Sequence, residues 1–431
     1  MLKRKITEQL IDWKINPDRN VLFLKGPRGV GKTTAVENFA KEHYDYFIHI
    51  NFEKYPLYKS IFSGSLDMGT LTKQITLKMQ TNKLVAGKTL IFLDEIHLCP
   101  RAREAAFTFI NEQRFDVIEA TSLFGTNPDK FDPTPLSYET LIEVMSLDFE
   151  EFLWASGVSE LTINEVYNHF LNLKPIPASL HIEFMNLFRE YMVVGGMPAV
   201  VDSFIHKHNF KALIKEQAKI IKDYERDIDS SLKKVDRNKV RLTFNSLPSQ
   251  LVKDNKKFQY GVVELKANAR KFESSVLWLY DADMIHISFQ LEELKLPFAN
   301  HARFDIFKVY YKDIGLLTGQ LGQVAQQAII DGDIHIYNNA VLESTIADLL
   351  YKQGYRLYYF TKNTTLHMEF MFKYKGEVTA LSVNEADNTK AKALTSLIEN
   401  HDLKHAIELT TQNMEISEQI HRYPIYCVMF L

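Results

Sequence analysis

The stretch that most constrains this chain is Gly-Pro-Arg-Gly-Val-Gly-Lys-Thr-Thr at positions 26–34. An apolar run at 21–24 precedes it, and apolar residues with helical spacing follow it at 33–40. A strand, a glycine-rich turn and a helix in this order match the pattern Gly-x-x-x-x-Gly-Lys-Ser/Thr of the phosphate-binding P-loop. The sequence therefore predicts an α/β domain that contains a nucleotide-binding turn.

The residue types in this turn suit a nucleotide and Mg²⁺. Glycines permit a tight turn whose backbone N–H groups surround an anion, and the helix N-terminus adds partial positive charge. We expect Lys32 to reach the β- and γ-phosphates of ATP, and the Thr33 hydroxyl to bind Mg²⁺. The predicted nucleotide-binding residues are Gly26, Pro27, Arg28, Gly29, Val30, Gly31, Lys32, Thr33 and Thr34.

A second motif follows about 60 residues after the first. The apolar run at 89–93 is typical of a parallel strand buried on both faces, and it ends in Asp94 and Glu95. Open α/β folds bind ligands at the carboxyl ends of their strands. We expect Asp94 to hold Mg²⁺ opposite Thr33. Glu95 is the predicted catalytic residue that polarises the attacking water, together with Lys32.

The next predicted strand, 115–122, ends in Ser122. In ATPases with this layout, a small polar residue at this position senses the γ-phosphate, although Ser122 could equally just start a turn. Arg189 and Arg226 lie in a region, 160–230, that we predict to be wholly helical. Either arginine could reach a nucleotide, but neither is assigned, because a surface or salt-bridged arginine is the more common case.

Composition favours a globular protein of about three domains, with 431 residues, 46% hydrophobic and 24% charged. The two cysteines, Cys99 and Cys427, lack the spacing of a disulfide framework or a zinc site. We find no signal-peptide pattern and no apolar stretch that could span a bilayer. These observations predict a cytoplasmic protein with no membrane partner.

One segment, 233–271, is strongly basic, with eleven Lys and Arg residues against three acidic ones. Its charge of +8 lies in a chain of net charge −3, which leaves about −11 for the remainder. Such asymmetry suggests a contact with DNA or RNA. A predicted helix at 268–280 would turn Ala269, Phe272, Val276, Leu277 and Tyr280 inward and expose Arg270, Lys271, Ser274 and Ser275.

The stretches 93–101, 117–125 and 147–153 together resemble a family of bacterial and archaeal AAA-type ATPases with a restriction-endonuclease-like C-terminal domain. Gly195-Gly196-Met197-Pro198 and the stretch 308–317 are further landmarks of this family, so the resemblance covers nearly the whole chain. It implies an α/β fold class in four parts. They are a parallel-sheet P-loop ATPase domain (1–158), a helical lid or linker region (159–232), a winged-helix-like basic domain (233–324) and a nuclease-like α/β domain (325–431).

In the middle part, the resemblance implies a winged helix whose wing strand is 284–291. A recognition helix that carries Arg270 and Lys271 is one interpretation. A purely structural winged helix, whose lysines are merely solvated, is the other, because fold does not establish function.

In the last part, the family pattern has one acidic residue on a helix and another on the first strand of a hairpin (366–374 and 377–383). The second strand of the hairpin carries Glu-x-Lys. Here Glu343 and Glu369 align with the two acids, but Ser382 and Asn384 replace the glutamate and the lysine. Neutral side chains remove one anionic Mg²⁺ ligand and its neighbouring cation. We therefore expect a nuclease fold without nuclease activity.

The leading hypothesis is an ATPase that uses ATP and Mg²⁺ and associates with nucleic acid through 233–271. The alternative is a nucleotide-dependent switch that binds a protein partner through the degenerate C-terminal domain and does not bind DNA.

Overall fold

A parallel five-stranded sheet organises the N-terminal region of the computed structural model. Alternate residues of the strand Val21–Lys25 (β1) enter separate hydrophobic clusters, Leu22 and Leu24 on one face and Val21 and Phe23 on the other. Burial on both faces explains the uninterrupted apolar runs in the sequence. The described residues are 2–112, 114–122, 132, 134–207, 209–232, 234–362, 366–383, 388–401, 403–404, 406–416 and 419–431.

The strands predicted at 89–93 and 115–122 and the helix predicted at 33–40 are present as β3, β4 and α2. The remaining strands are Tyr46–Asn51 (β2), Thr89–Asp94 (β3), Asp116–Thr121 (β4) and Glu139–Glu143 (β5). The helices are Lys5–Ile15 (α1), Lys32–His43 (α2), Met68–Met79 (α3), Pro100–Asn111 (α4) and Phe149–Ala155 (α5), and short 3₁₀ helices occupy Pro56–Phe62 and Ile96–Leu98.

The strand order is β2-β3-β4-β1-β5, and all neighbouring strands are parallel. Strand β4 therefore lies between β1, which leads into the glycine-rich turn, and β3, which ends at Asp94. In register, Lys25 pairs with Thr121 and Asp94 pairs with Ala120. The three strands consequently end at one edge of the sheet, where their following residues converge.

Helices follow from residue 160 onwards, as predicted for 160–230. Among the helices in the described ranges, none is both long and apolar enough to cross a membrane. They are Glu160–Leu171 (α6), Ala178–Val194 (α7), Pro198–Lys207 (α8), Phe210–Ser231 (α9), Lys234–Leu251 (α10), Tyr260–Val263 (α11) and Ala269–Asp281 (α12).

The predicted inward face of α12 is partly wrong. Phe272 and Val276 are buried, but Leu277 is 49% exposed, Tyr280 is 41% exposed and Ala269 is also exposed. Ser275, which we expected on the surface, is buried together with Trp278 and Leu279. The true face follows the spacing 272, 275, 276, 279 of a helix with 3.6 residues per turn. The prediction was based on side-chain type, and it failed because leucine and tyrosine can lie on an exposed face.

The C-terminal part of the chain contains a second sheet, whose eight strands pair both parallel and antiparallel. The strand order is β12-β13-β11-β10-β9-β8-β6-β7. Its strands are Ile285–Leu291 (β6), Ala302–Tyr311 (β7), Tyr358–Thr361 (β8), His367–Tyr374 (β9), Glu377–Val383 (β10), Ala406–Thr410 (β11), Glu415–Ile416 (β12) and Ile420–Pro424 (β13). The accompanying helices are Ile314–Leu321 (α13), Gln323–Ile330 (α14), Ile336–Lys352 (α15) and Asn388–His401 (α16), with 3₁₀ helices at Phe298–His301 and Ile425–Phe430.

This sheet joins two of the predicted parts of the chain. The predicted hairpin is present as the antiparallel pair β9–β10. The predicted wing strand is β6, which pairs antiparallel with β7 and also parallel with β8. The predicted boundary between residues 324 and 325 thus falls between strands of one sheet.

A buried carboxylate connects the two family landmarks. Asp313, at the start of α13, accepts hydrogen bonds from the backbone N–H groups of Gly196 (2.8 Å) and Gly315 (2.9 Å). Burial raises the pKa of Asp313 to about 6, against the opposing effect of nearby Lys352. The carbonyl of Gly196 accepts from the backbone of Leu147, which precedes α5. The contact therefore ties the parallel sheet, the helical region and the last sheet together.

We predict that Gly196→Ala destabilises the protein by about 1–3 kcal/mol, because the new methyl group cannot fit. A Cβ on Gly196 would lie 2.0 Å from the carbonyl oxygen of Leu147, which is backbone and cannot move aside cheaply. Urea denaturation of the full chain measures the effect. Gly261→Ala is the control, since a Cβ there meets no atom within 4 Å. Equal stability of the two variants would contradict the tight junction.

Candidate functional site

The glycine-rich turn between β1 and α2 requires its glycines for two different reasons. Gly29 and Gly31 have φ values of +86° and +93°, in the region that favours glycine. Gly26 is required by space, because a Cβ there would lie 2.1 Å from the carbonyl oxygen of Val144. The turn leads directly into the N-terminus of α2, whose first N–H groups are available to an anion.

Lys32 is buried and turned back onto the turn itself. Its Nζ donates to the carbonyl oxygens of Gly26 (2.7 Å) and Pro27 (2.8 Å). Burial lowers the pKa of Lys32 to about 8, although the neighbouring carboxylates of Glu95 and Asp94 act in the opposite direction. Among the described residues, the hydrogen-bond acceptors of this buried ammonium group are therefore two carbonyl oxygens. A phosphate group would be a stronger partner than either carbonyl.

Asp94 has one occupied carboxylate oxygen and one unoccupied one. Its Oδ2 accepts from Thr33 Oγ1 (3.0 Å) and Asn51 Nδ2 (2.8 Å), and lies 3.1 Å from His49 Nε2. Within the described residues, the buried Oδ1 has no hydrogen-bond partner. A carboxylate oxygen and a hydroxyl oxygen are hard ligands that suit Mg²⁺. The donor set therefore fits the predicted metal pair, Thr33 and Asp94.

No group of three or more His, Cys, Asp or Glu side chains within the described ranges is placed to bind a metal on its own. This is compatible with Mg²⁺, which is commonly held by one or two protein groups together with substrate phosphates.

Glu95 and Ser122 lie together at the same edge of the sheet. Glu95 follows β3 with a left-handed φ of +57°, which directs its side chain away from the strand. Its Oε2 accepts from Ser122 Oγ (2.5 Å) and from the backbone N–H of Ser122 (3.2 Å). Burial raises the pKa of Glu95, while Lys32 and the Ser122 hydrogen bond lower it. The predicted sensor residue thus contacts the predicted catalytic carboxylate.

Arg28 connects the turn to a distant helix. Its Nε donates to both carboxylate oxygens of Asp227 on α9, at 3.1 and 2.9 Å. Its terminal nitrogens bind Glu53, just after β2, at 3.3 and 2.9 Å. Burial tends to lower the pKa of Arg28, but the two carboxylates raise it above its ordinary value. Arg28 is therefore charged and contacts two carboxylates, and its displacement would break the ion pair with buried Asp227.

The N-terminal arm also contacts the turn. Arg4 donates from Nη1 to the carbonyl oxygen of Val30 (3.0 Å) and from Nη2 to that of Met145 (2.7 Å), and its Nε binds Glu151 (2.9 Å). A cavity of about 370 Å³ opens beside it. Its lining includes Thr7, Gly29, Gly31, Asn38, Pro198 and Asp202. Pro198 belongs to the first family landmark, so this landmark lies at the candidate nucleotide site.

The predicted nuclease-like residues lie on the elements that we expected. Glu343 is on α15, Glu369 on β9 and Ser382 on β10, and all three are buried. Asn384 lies outside the described residues.

Glu343 is already occupied by cations. Lys308 Nζ is 2.8 Å from Oε1, Lys256 Nζ is 3.1 Å from Oε2, and Tyr310 donates its hydroxyl to Oε1 at 2.6 Å. Burial would raise the pKa of Glu343, but the two lysines lower it below its usual range. The carboxylate is therefore anionic and neutralised by protein groups.

Some basic residues of the segment 233–271 form ion pairs with acidic residues of the same chain. Arg237 and Arg241 pair with Asp229 on α9, and Lys271 pairs with Glu264. Arg270 is exposed at the start of α12. The predicted nucleic-acid contacts, Arg270 and Lys271, are thus both on the surface, but one of them has a carboxylate partner.

Several residues at the candidate site were missed in the sequence. Asn51 could have been found, because it ends β2 next to the strand that ends in Asp94, and the two are paired in register. His49 is two residues earlier on the same face of β2. Asp227 had no such signal, since it lies 199 residues from Arg28. Of the unassigned arginines, Arg226 binds Asp223 on its own helix.

Comparison with protein families agrees with the geometry of the N-terminal region. Residues 18–153 match a family model described as an AAA domain. Residues 185–327 match a model described as a domain of unknown function, DUF8612. No curated protein matches the sequence. The parallel sheet with its glycine-rich turn is a P-loop NTPase fold, and the first match supports a domain of the AAA ATPase type.

Solved structures show only distant similarity. The Walker-type ATPase PABY2304 of Pyrococcus abyssi is 13% identical, with 75% of this chain and 96% of that chain covered and a TM-score of 0.41. The ORC1 protein of Aeropyrum pernix, in complex with DNA, is 12% identical, with 77% and 91% covered and a TM-score of 0.28. The RuvB Holliday junction branch migration motor of Thermotoga maritima is 13% identical, with 66% and 89% covered and a TM-score of 0.30.

The low pKa of Lys32 predicts that nucleotide binding weakens at alkaline pH. A bound phosphate raises the pKa of Lys32, so binding must take up a proton wherever the free protein has lost it, above about pH 8. Below that pH the lysine already carries its proton, and affinity should not change through this group. We expect the affinity for Mg·ADP to fall by up to about tenfold per pH unit above pH 8.

Calorimetry in buffers of different ionisation enthalpy measures this proton uptake directly. It should be near zero at about pH 7 and approach one proton per nucleotide at about pH 9. Lys32→Met should take up no proton at either pH. Equal affinity and no uptake at both pH values in the wild-type protein would contradict the assignment of Lys32.

Proposed function

We propose that the protein is a Mg²⁺-dependent ATPase that converts ATP and water to ADP and phosphate. The observation that carries this proposal is the 3.0 Å hydrogen bond between Thr33 Oγ1 and Asp94 Oδ2. It joins the two residues that P-loop ATPases use to hold Mg²⁺. The AAA-domain match over residues 18–153 supports the same activity.

The phosphates would lie over the glycine-rich turn. There the backbone N–H groups of Gly29, Gly31 and the start of α2 bind the β-phosphate. Lys32 would exchange the carbonyl oxygens of Gly26 and Pro27 for phosphate oxygens, which are negatively charged acceptors. The base and ribose would occupy the neighbouring cavity beside Pro198.

Thr33 and Asp94 would hold Mg²⁺, whose positive charge offsets the charge that develops on the phosphate oxygens. Asp94 Oδ1, which has no hydrogen-bond partner in the described part of the chain, would be the ligand atom. Asn51 and His49 hold the other oxygen, Oδ2, and thereby orient the carboxylate. This arrangement leaves the metal ligand rotationally fixed before the nucleotide binds.

Glu95 would orient the attacking water and accept its proton. Its raised pKa makes it a stronger base than an exposed glutamate. Ser122 holds the carboxylate in place through Oε2. Because Ser122 directly follows β4, the strand between β1 and β3, it can respond to the γ-phosphate and move Glu95 with it.

We predict that Glu95→Gln slows ATP hydrolysis by about 10²–10⁴-fold, because it keeps the shape of the side chain and removes the base. Nucleotide affinity should change by less than about threefold, since Glu95 makes no predicted contact with the ground-state nucleotide. Single-turnover hydrolysis and equilibrium binding separate the two effects. Glu112→Gln, at an exposed acid directly after the C-terminal end of α4, is the control. Hydrolysis at the wild-type rate in Glu95→Gln would show that Glu95 is misassigned.

We also propose that the ATPase associates with nucleic acid through 233–271. The charge surplus supports this contact, as does the exposure of Arg270 on α12. Helix α9 could transmit the nucleotide state, because Asp227 holds Arg28 of the glycine-rich turn and Asp229 holds Arg241 of the basic segment. A change at one end of this helix would thus alter the charge pattern at the other.

Charge reversal at Arg270 and Lys271 tests this contact. We expect the double variant Arg270→Glu/Lys271→Glu to bind labelled DNA or RNA more weakly, and the slope of log affinity against log salt to fall by about 1 per lost contact. Fluorescence anisotropy measures both. Lys215→Glu/Lys219→Glu, an exposed pair on α9, is the matched control. Binding that is absent even at low salt would instead favour the switch that acts on a protein partner.

We propose further that the nuclease-like domain does not cleave nucleic acid. Glu343 is neutralised by Lys308 and Lys256, so it is a poor ligand for Mg²⁺. Ser382, on the strand where the family pattern has a glutamate, is neutral.

A further inference from the structure

A second cavity, of about 650 Å³, is lined by polar and charged residues. These residues are far in sequence from the glycine-rich turn. Three parts of the sequence build it: the loop after α10, the pair β6–β7, and the pair β8–β9. Four lysines line it, Lys256, Lys257, Lys308 and Lys362. Because these parts are distant in sequence, the cluster arises only in the folded chain. We refer to this cavity, with these four lysines, as the lysine pocket.

The floor of the lysine pocket is formed by two buried ammonium groups. Lys308 is 2% exposed and Lys256 is 9% exposed. Burying an ammonium group is costly unless an anion compensates it. Both lysines contact one carboxylate, that of Glu343, so two positive charges interact with a single negative charge. Among the described residues, the ion pairs of the floor therefore place two ammonium groups on one carboxylate.

Lys308 also has unused hydrogen-bonding capacity. An ammonium group has three donors, and among the described residues Lys308 Nζ has a single acceptor, Glu343 Oε1. Its remaining contact there is the ring of Tyr359, 4.9 Å away. Lys256, in contrast, also donates to the carbonyl oxygen of Asn338 at 2.8 Å. Lys308, which lines the cavity, thus has donor capacity left for a further acceptor.

The rim adds further charge and neutral donors. Lys362 is exposed and Lys257 is half-buried, and Asp254 is the one acid among the lining residues. The four positive charges of the lysines exceed the two negative charges of Asp254 and Glu343. The net charge of the pocket stays positive when Glu369, which interacts with Tyr310, is also counted. Gln290, Thr361 and His367 supply neutral polar groups to the same wall.

We propose that the lysine pocket binds a phosphate group of a ligand without a metal ion. Lysine is a point charge that binds phosphate from several directions, which suits a pocket where cations come from three sides. The volume is large enough for a nucleotide-sized ligand. In a nuclease with this pattern, Mg²⁺ would lie beside the acid that aligns with Glu343. Here the ammonium groups of the two floor lysines lie beside Glu343, and we propose that they bind the phosphate in place of the metal. This site is independent of ATP hydrolysis at the glycine-rich turn.

The experiment uses the full chain with Mg·ADP at saturation, so that the glycine-rich turn is filled. Inorganic phosphate and AMP are titrated by calorimetry, and a labelled twelve-residue oligothymidylate by anisotropy. Saturable binding of at least one probe is expected. Binding of inorganic phosphate and AMP identifies a free phosphate or a phosphate monoester as the source. Binding of the oligonucleotide alone identifies a phosphodiester backbone if it persists in Arg270→Glu/Lys271→Glu, two residues outside the pocket.

Two variants with opposite expected effects distinguish this site from general electrostatic attraction. Lys257→Ala/Lys362→Ala should weaken binding by at least about tenfold, because both rim charges are lost. Glu343→Gln should strengthen it by about threefold or more, because the carboxylate competes with the phosphate for the two floor lysines. Lys215→Ala/Lys219→Ala on α9 removes the same charge elsewhere and should change little. Thermal melting confirms that each variant is folded.

Three results would overturn the proposal. One is the absence of saturable binding of every probe. Another is equal binding by Lys257→Ala/Lys362→Ala and its control, whether or not Glu343→Gln folds. The third is Mg²⁺-dependent cleavage of the oligonucleotide that disappears in Glu369→Ala, which would show a working nuclease site instead. Basal rates of ATP hydrolysis, measured in parallel without nucleic acid, should not change in Lys362→Ala, which lies outside 233–271, so failure here is separable from failure of the ATPase assignment.

Discussion

The parallel pairing of β1, β4 and β3 is the constraint on which the candidate site depends. It places the ends of three strands at one edge, so that residues far apart in sequence meet within hydrogen-bonding distance. Thr33 reaches Asp94 across 61 residues, and Ser122 reaches Glu95 across 27. Without β4 between the other two strands, Ser122 would not contact the carboxylate that we assign to catalysis. The chemistry is thus a consequence of strand order as well as of motif.

The site is also connected to the rest of the chain by buried charges. Arg28 binds Asp227 on α9, and Asp313 binds the backbone of Gly196 beside the ATPase-like domain. Breaking either contact would remove a buried ion pair or hydrogen bond, which is unfavourable. Movements of the glycine-rich turn and of the helical region are therefore expected to be coupled. This coupling is what an ATPase needs if hydrolysis is to act on a distant surface.

The sequence was sufficient to predict the local units and insufficient for long-range contacts. The turn at 26–34, the strand that ends at Asp94 and the β9–β10 hairpin follow from local pattern, turn chemistry and resemblance. The exposed face of α12 was predicted wrongly at Leu277 and Tyr280, because residue type is a weak guide to burial on a short helix. The partners Asp227 of Arg28, and Lys256 and Lys308 of Glu343, depend on tertiary packing, which no local pattern encodes.

The measurement that tests the central claim most directly is the Mg²⁺ dependence of ATP affinity in the wild-type protein and in Asp94→Asn. If Asp94 holds Mg²⁺ with Thr33, the wild-type protein binds ATP more tightly with Mg²⁺ than with a chelator. Asp94→Asn should keep the affinity measured without Mg²⁺ and lose the gain that Mg²⁺ provides. An equal gain in both proteins would contradict the assignment of Asp94, and with it the proposed hydrolytic site.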